Sequence, residues 1–123
     1  MKPETYVDGF VCAVPTARRE EYRQHAINAA RAFNAARAFK KRGALSVVDC
    51  WGNDVPEGKL TSFSLAVQRK PDETVVFSWV TWPSKQVRDE AWKLLMDDPD
   101  MPKDMPFDGQ RLIYGGFELL SDV

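Results

Sequence analysis

His25 is the one histidine in the chain, and so the one side chain whose ordinary pKa lies near neutrality. It follows Tyr22 by three residues and precedes Phe33 by eight. In a helix that spacing sets it close to the stripe those aromatics define. There it can serve as a general base, or as an axial haem ligand, facing a pocket between helix and sheet. An exposed or edge-of-core helix position is the plain alternative. Asp8, Asp49 and Glu118 fall inside strand-like stretches, where carboxylates are disfavoured. Asp8 alternates in step with Phe10 and Cys12, and Asp49 with Val47 and Trp51. A carboxylate on an apolar face must find a partner or shift its pKa, and that is how general acids and bases are commonly made. An ion pair with Arg88 or Arg111, or an inter-subunit contact at the sheet edge, would instead make it structural. His25, Asp8 and Asp49 are therefore the candidate catalytic residues.

Four tryptophans in 14.0 kDa are many. Tyr6, Trp51, Trp79 and Tyr114 can line a pocket for a small, flat, hydrophobic ligand; core and interface packing is the other reading. Cys12 and Cys50 form no CxxC and have no histidine cluster beside them, so no zinc site is expected. Both read as buried thiols of a reducing cytosol. Cys50 has no cationic neighbour in sequence to activate it. Gly115-Gly116 sits inside a strand rather than before a helix. It is no phosphate loop, but it suggests a bulge or the close approach of a backbone or ligand. The five aspartates between 97 and 108 lack the spacing and the closing glutamate of a calcium loop. No cofactor and no metal are implied.

The elements that must position these residues follow from pattern. "YVDGFVCAV" reads as a strand, Thr16 as a helix N-cap, and Ala17 to about Lys41 as helix, closed by Gly43. "ALSVVDCWG", "SFSLAVQ" and "TVVFSWVTW" read as three further strands. A helix begins at Pro83-Ser84 and places Val87, Ala91, Leu94 and Leu95 on one face; Pro99 ends it, and Arg111–Leu120 is the last strand. The order is β-α-β-β-β-α-β within one domain, residues 1–123. Setting aside the amphipathic hairpin strand leaves the ferredoxin-like split βαβ, an α+β sandwich. Strand residues on both faces are apolar, whereas a sheet with one solvated face alternates polar with apolar. Two helices cover one face only, so the other is expected to pack against a second copy in a homodimer. With net charge −1 and pI near 5.8, no nucleic-acid partner is expected. No apolar run approaches a membrane span, and the chain reads as cytoplasmic and unanchored.

"YVDGFVCAVP", "GALSVVDCWGNDVPEGKLTSFSLAV", "VVFSWVTWPSKQVRDEA" and "MPFDGQRLIYGGFE" together resemble the YbaA-like family of bacterial domains of unknown function. The resemblance spans nearly the whole chain and implies a dimeric α+β barrel; it supplies no catalytic residues. One departure stands out. Ala29–Lys40, "AARAFNAARAFK", writes a six-residue string twice. Six residues turn a helix by about 600°, leaving the second copy rotated by about 120°. Phe33 keeps register with Tyr22, so residues 34–39 read as a surplus copy that makes the helix overlong. A looped-out copy or a swapped helix is the alternative. Deleting 34–39 is expected to preserve both dimer and stability.

Overall fold

The computed structural model describes residues 2–33, 43–96 and 105–123. Its elements are β1 (Tyr6–Pro15), α1 (Arg19–Phe33), β2 (Ser46–Trp51), α2 (Phe63–Ala66), β3 (Glu73–Trp82), α3 (Lys85–Met96) and β4 (Ile113–Glu118). Short 3-10 turns at Thr16–Arg18 and Gly109–Arg111 precede α1 and β4. The strands form one antiparallel sheet in the order β2-β3-β1-β4. The molecule is thus a mixed α/β protein. β1 and β3, dense in β-branched and aromatic residues, are the two central strands and pair along ten residues each.

Register decides which side chains share a face. Asp8 pairs with Val80, Phe10 with Ser78 and Cys12 with Val76; on the other side of β3, Asp49 pairs with Ser78 and Val47 with Val80. This face is covered by α1 and α3. Val80 and Trp82 pack there against Ala91 and Leu95. Cys12, Val14 and Val76 pack against Tyr22. The opposite face has a smaller cluster, in which Val11, Ala13 and Val75 lie under Val67. Beyond that cover Phe77, Ile113 and Phe117 are 43%, 44% and 60% exposed.

Several expectations change. The stretch 62–68 is not a strand: it holds the single-turn helix α2. Ser62 caps it, its hydroxyl accepting from the Leu65 amide at 2.9 Å. Val67 is buried while Phe63 and Leu65 are half exposed, so the period-two pattern marks no common face. Capping chemistry wins over alternation in so short a run. Thr16 does not cap α1; its hydroxyl bonds that of Thr74 at 2.7 Å. The helix starts instead at Arg19, with Glu20 and Glu21 in the first turn, where acidic residues suit the dipole. Ser84 does accept from the Val87 amide at the start of α3, at 3.2 Å. Cys12 is buried but Cys50 is exposed, because alternation puts Cys50 beside Phe77 on the less covered face. The last strand is shorter than expected at its start, where Gly109–Arg111 turns. The second copy of the repeat, residues 34–39, and Pro99 lie outside the described residues. Among the described residues no helix is long and apolar enough to cross a membrane.

Candidate functional site under helix α1

Helix α1 meets the sheet through small residues. Ala26 and Ala29 are only partly buried and pack on the two core clusters. Alanine holds the backbone near the sheet without filling the space beside it, and a cavity remains. Its inner part, about 230 Å³, is walled by Phe10, His25, Val80, Phe107 and Leu112 among others. Its outer part, about 310 Å³, runs toward the β2 edge past Ile27 and Trp51. Tyr22, Ala26, Val47 and Asp49 border both parts.

Asp49 is the polar centre. Its Oδ1 accepts from the Tyr22 hydroxyl at 3.1 Å and from the Ser78 hydroxyl at 2.6 Å. Oδ2 receives no hydrogen bond among the described residues. Tyr22 is 8% exposed, and burial, followed by the neighbouring Cys12 and Asp49, pushes its phenol far above the ordinary range. Burial likewise pushes the Cys12 thiol up to about 12, with the Tyr22 hydroxyl opposing. Both groups stay protonated at neutral pH, and Cys12 is no nucleophile.

His25 lies within the same aromatic nest, its ring 5.9 Å from that of Tyr22 and 5.8 Å from that of Phe107. Nδ1 is buried and has no hydrogen-bond partner among the described residues. Burial lowers the imidazole pKa, and Asp49 pulls weakly the other way. The ring is therefore neutral at pH 7. His25 and Asp49, singled out from sequence, are brought together; so is Trp51, at the outer end.

The remaining candidates fall elsewhere. Asp8 is buried and saturated. Arg88 donates to its Oδ1 from Nη2 at 2.7 Å and to both oxygens from Nε at 3.1 Å; Trp82 and Trp92 donate their indole N–H groups to Oδ2 at 2.9 and 3.0 Å. A carboxylate so held is an anchor for α3, not a free base. Tyr6 lies outside the cavity, under the Arg88 guanidinium at 5.3 Å. Tyr114 is 75% exposed because β4 is an edge strand. Trp79 borders the cavity, but its ring rests against Phe77 at 5.6 Å on the face away from α1. Glu118 is exposed on β4. The close approach foreseen at Gly115-Gly116 is made by side chains: a Cβ at Gly116 would lie 2.6 Å from the Tyr6 hydroxyl and 3.0 Å from Arg88 Nη2.

Tyr22, Ser78 and Phe107 were not singled out as site residues. Ser78 does carry a signal, as a lone hydroxyl between Phe77 and Trp79 in an apolar strand. Tyr22 leaves only its helical phase with His25. Phe107 follows an irregular loop and leaves no periodic trace. Among the described residues no group of three or more His, Cys, Asp or Glu side chains is placed to hold a metal ion.

An antiparallel sheet, two long helices on one face and a cavity with one hydrogen-bonded carboxylate describe a class of small α/β protein without naming a reaction. The chain belongs to the family described as protein of unknown function (DUF1428), whose model matches residues 5–109. It is similar to the uncharacterized protein YbaA of Escherichia coli (strain K12), with 51% identity over 120 residues, 95% of this chain and 97% of that protein. The same figures hold for the uncharacterized YbaA proteins of Escherichia coli O157:H7 and Shigella flexneri. These relatives carry no assigned activity.

Proposed function

We propose that the protein is a small enzyme that works without a bound cofactor on a small aromatic or carbonyl compound held between α1 and the sheet. The observation that carries this reading is Asp49. One of its oxygens is held by Tyr22 and Ser78, and the other has no hydrogen-bond partner among the described residues, at the solvent-exposed border of an apolar-walled cavity. In that setting Asp49 accepts a proton from the substrate. Its two hydroxyl donors hold the carboxylate in one orientation throughout. Neutral His25 is the second proton carrier, and Trp51 shapes the outer wall.

A non-catalytic binder of a small hydrophobic ligand is the alternative, favoured by the mostly apolar walls. An assembly module is a third reading, favoured by the open sheet face. The fold reading goes with it: the element and strand orders support a ferredoxin-like split βαβ. The exposed Phe77, Ile113 and Phe117 support a homodimer closing as an α+β barrel. The two free thiols suit a cytoplasmic setting, and the near-zero net charge suits one without nucleic acid.

The test is a thermal-shift screen against haem, quinones and lactones, using the wild type and Ala26→Trp, whose indole fills the cavity. Compounds that raise the melting temperature of the wild type alone are then assayed for turnover with Asp49→Asn. Turnover lost in Asp49→Asn supports the enzyme. Stabilisation without turnover favours the binder, and no stabilisation at all favours the assembly module.

A further inference from the structure

Arg19 and Arg23 lie one turn apart on α1 and both line the outer part of the cavity. Arg19 stacks its guanidinium 5.5 Å over the Trp51 ring and has no carboxylate within ion-pair distance among the described residues. Stacking engages the flat face of a guanidinium and leaves its in-plane N–H donors available to a planar, two-oxygen acceptor. It also fixes the side chain, so less entropy is lost when a ligand arrives. Among the described residues Arg23 pairs with Glu20 alone, at 3.9 Å with both side chains well exposed, a contact of little worth. Two cationic forks thus stand at one end of a cavity whose other polar feature is a carboxylate, Asp49, fixed by Tyr22 and Ser78. The two ends call for opposite groups: an anion at the arginines and a proton donor at Asp49, with a flat apolar body between them.

We propose that the ligand of this cavity is a small aromatic hydroxy acid, its carboxylate taken by Arg19 and Arg23 and its hydroxyl directed toward Asp49. This rests on the cavity reading above and adds the chemical class of the occupant. A neutral ligand would leave both guanidinium groups unused.

The probes are 4-hydroxybenzoate and its uncharged counterpart 4-hydroxybenzamide, titrated into the full-length protein and followed by amide and arginine Nε–H chemical shifts. The wild type is expected to bind the acid about tenfold more tightly than the amide, as a charge-assisted bidentate contact allows. Raised salt should narrow that gap. Both arginines are exposed, so the Arg19→Ala/Arg23→Ala variant should fold, and in it the preference should shrink to about twofold or less. Equal affinities for acid and amide in the wild type would overturn the anionic assignment and leave the cavity reading standing. So would a preference that survives in the double variant. If neither compound binds at millimolar concentration, the hydroxy-acid inference falls and the cavity reading stays with the thermal-shift screen; if binding persists in Ala26→Trp, the cavity reading falls and this inference falls with it.

Discussion

Asp8 and His25 show how the same sheet face treats two polar residues in opposite ways. Asp8 is enclosed and meets a donor on every side: Arg88 and two indoles converge on one carboxylate. Removing it takes the carboxylate from the indole N–H groups of Trp82 and Trp92 and leaves the 22% exposed Arg88 with Asp89 as its ion-pair partner, at 2.9 Å. Breaking a buried pair by deleting one partner costs about 3–5 kcal/mol; because Asp89 still neutralises Arg88, Asp8→Ala should lower urea-denaturation stability by up to that order. Asp8→Asn should recover only part of it, because an amide offers the donors a single oxygen. A loss under roughly 1 kcal/mol would mean that Arg88 finds water at little cost. His25 is half-buried, its Nδ1 has no hydrogen-bond partner among the described residues, and burial lowers its pKa below 6.5. The sign follows from linkage: the folded state binds the proton less readily than the unfolded chain. His25 therefore opposes folding increasingly as pH falls from its unfolded pKa toward its folded one, and has no such effect above pH 6.5. His25→Gln should flatten the stability–pH curve just below pH 6.5. An unchanged curve, measured by denaturation at several pH values, would contradict this.

At the scale of elements, one ion pair ties the approach to β4 onto β3. Arg111 grips Glu73 with two bonds of 2.7 Å and also donates to the Gln68 carbonyl and to Asp108. Hydrogen bonding by Arg111 holds the Glu73 carboxyl at about 2, against an ordinary 4.5. A depressed folded pKa stabilises the protein above pH 4.5, and that contribution is lost as pH falls toward 2. The gap corresponds to roughly 3 kcal/mol at most. Glu73→Gln should lose stability at pH 7 and show a shallower acid limb; equal acid limbs in the two proteins would refute the assignment. The elements themselves were legible where a period ran long enough. The apolar runs of β1, β2 and β3 and the Val87–Ala91–Leu95 stripe of α3 state their conformation directly. Residues 62–68 misled because three alternating apolar residues fit a capped turn as readily as a strand. The site was half legible: Asp49 and His25 advertise themselves by residue type. The Tyr22 and Ser78 hydroxyls that orient Asp49 become visible only once register sets Asp49 against Ser78. Arg88 was foreseen as a possible partner of an aspartate, but no pattern points an indole N–H at a carboxylate some 74 or 84 positions away.

For the whole molecule, the proposed homodimer rests on the imbalance between the two sheet faces. One face carries α1 and α3 and encloses Val14, Val76 and Trp82 almost completely. The other has α2 over one end only. Its remaining surface is apolar at Val48, Phe77, Ile113 and Phe117. The Phe117 ring lies over the bare backbone of Gly9 and Gly115, 3.6 Å from where a Cβ on either would stand. Patches of this kind mark interaction surfaces, and a twofold pairing of identical sheets buries each patch against its own copy. Sheet-on-sheet packing at about 10 Å would interleave Phe77 and Phe117 with their symmetry mates. Within one protomer Phe117 is 60% exposed, so a charge there should cost the monomer little while leaving an unpaired carboxylate inside a dimer. Light scattering coupled to gel filtration should therefore report a dimer for the wild type and a folded monomer for Phe117→Asp. Circular dichroism should be unchanged between them. A monomeric wild type would show that the face stays open in solution. A dimeric Phe117→Asp would place the interface elsewhere, with the exposed Phe63 and Leu65 of α2 the next surface to charge.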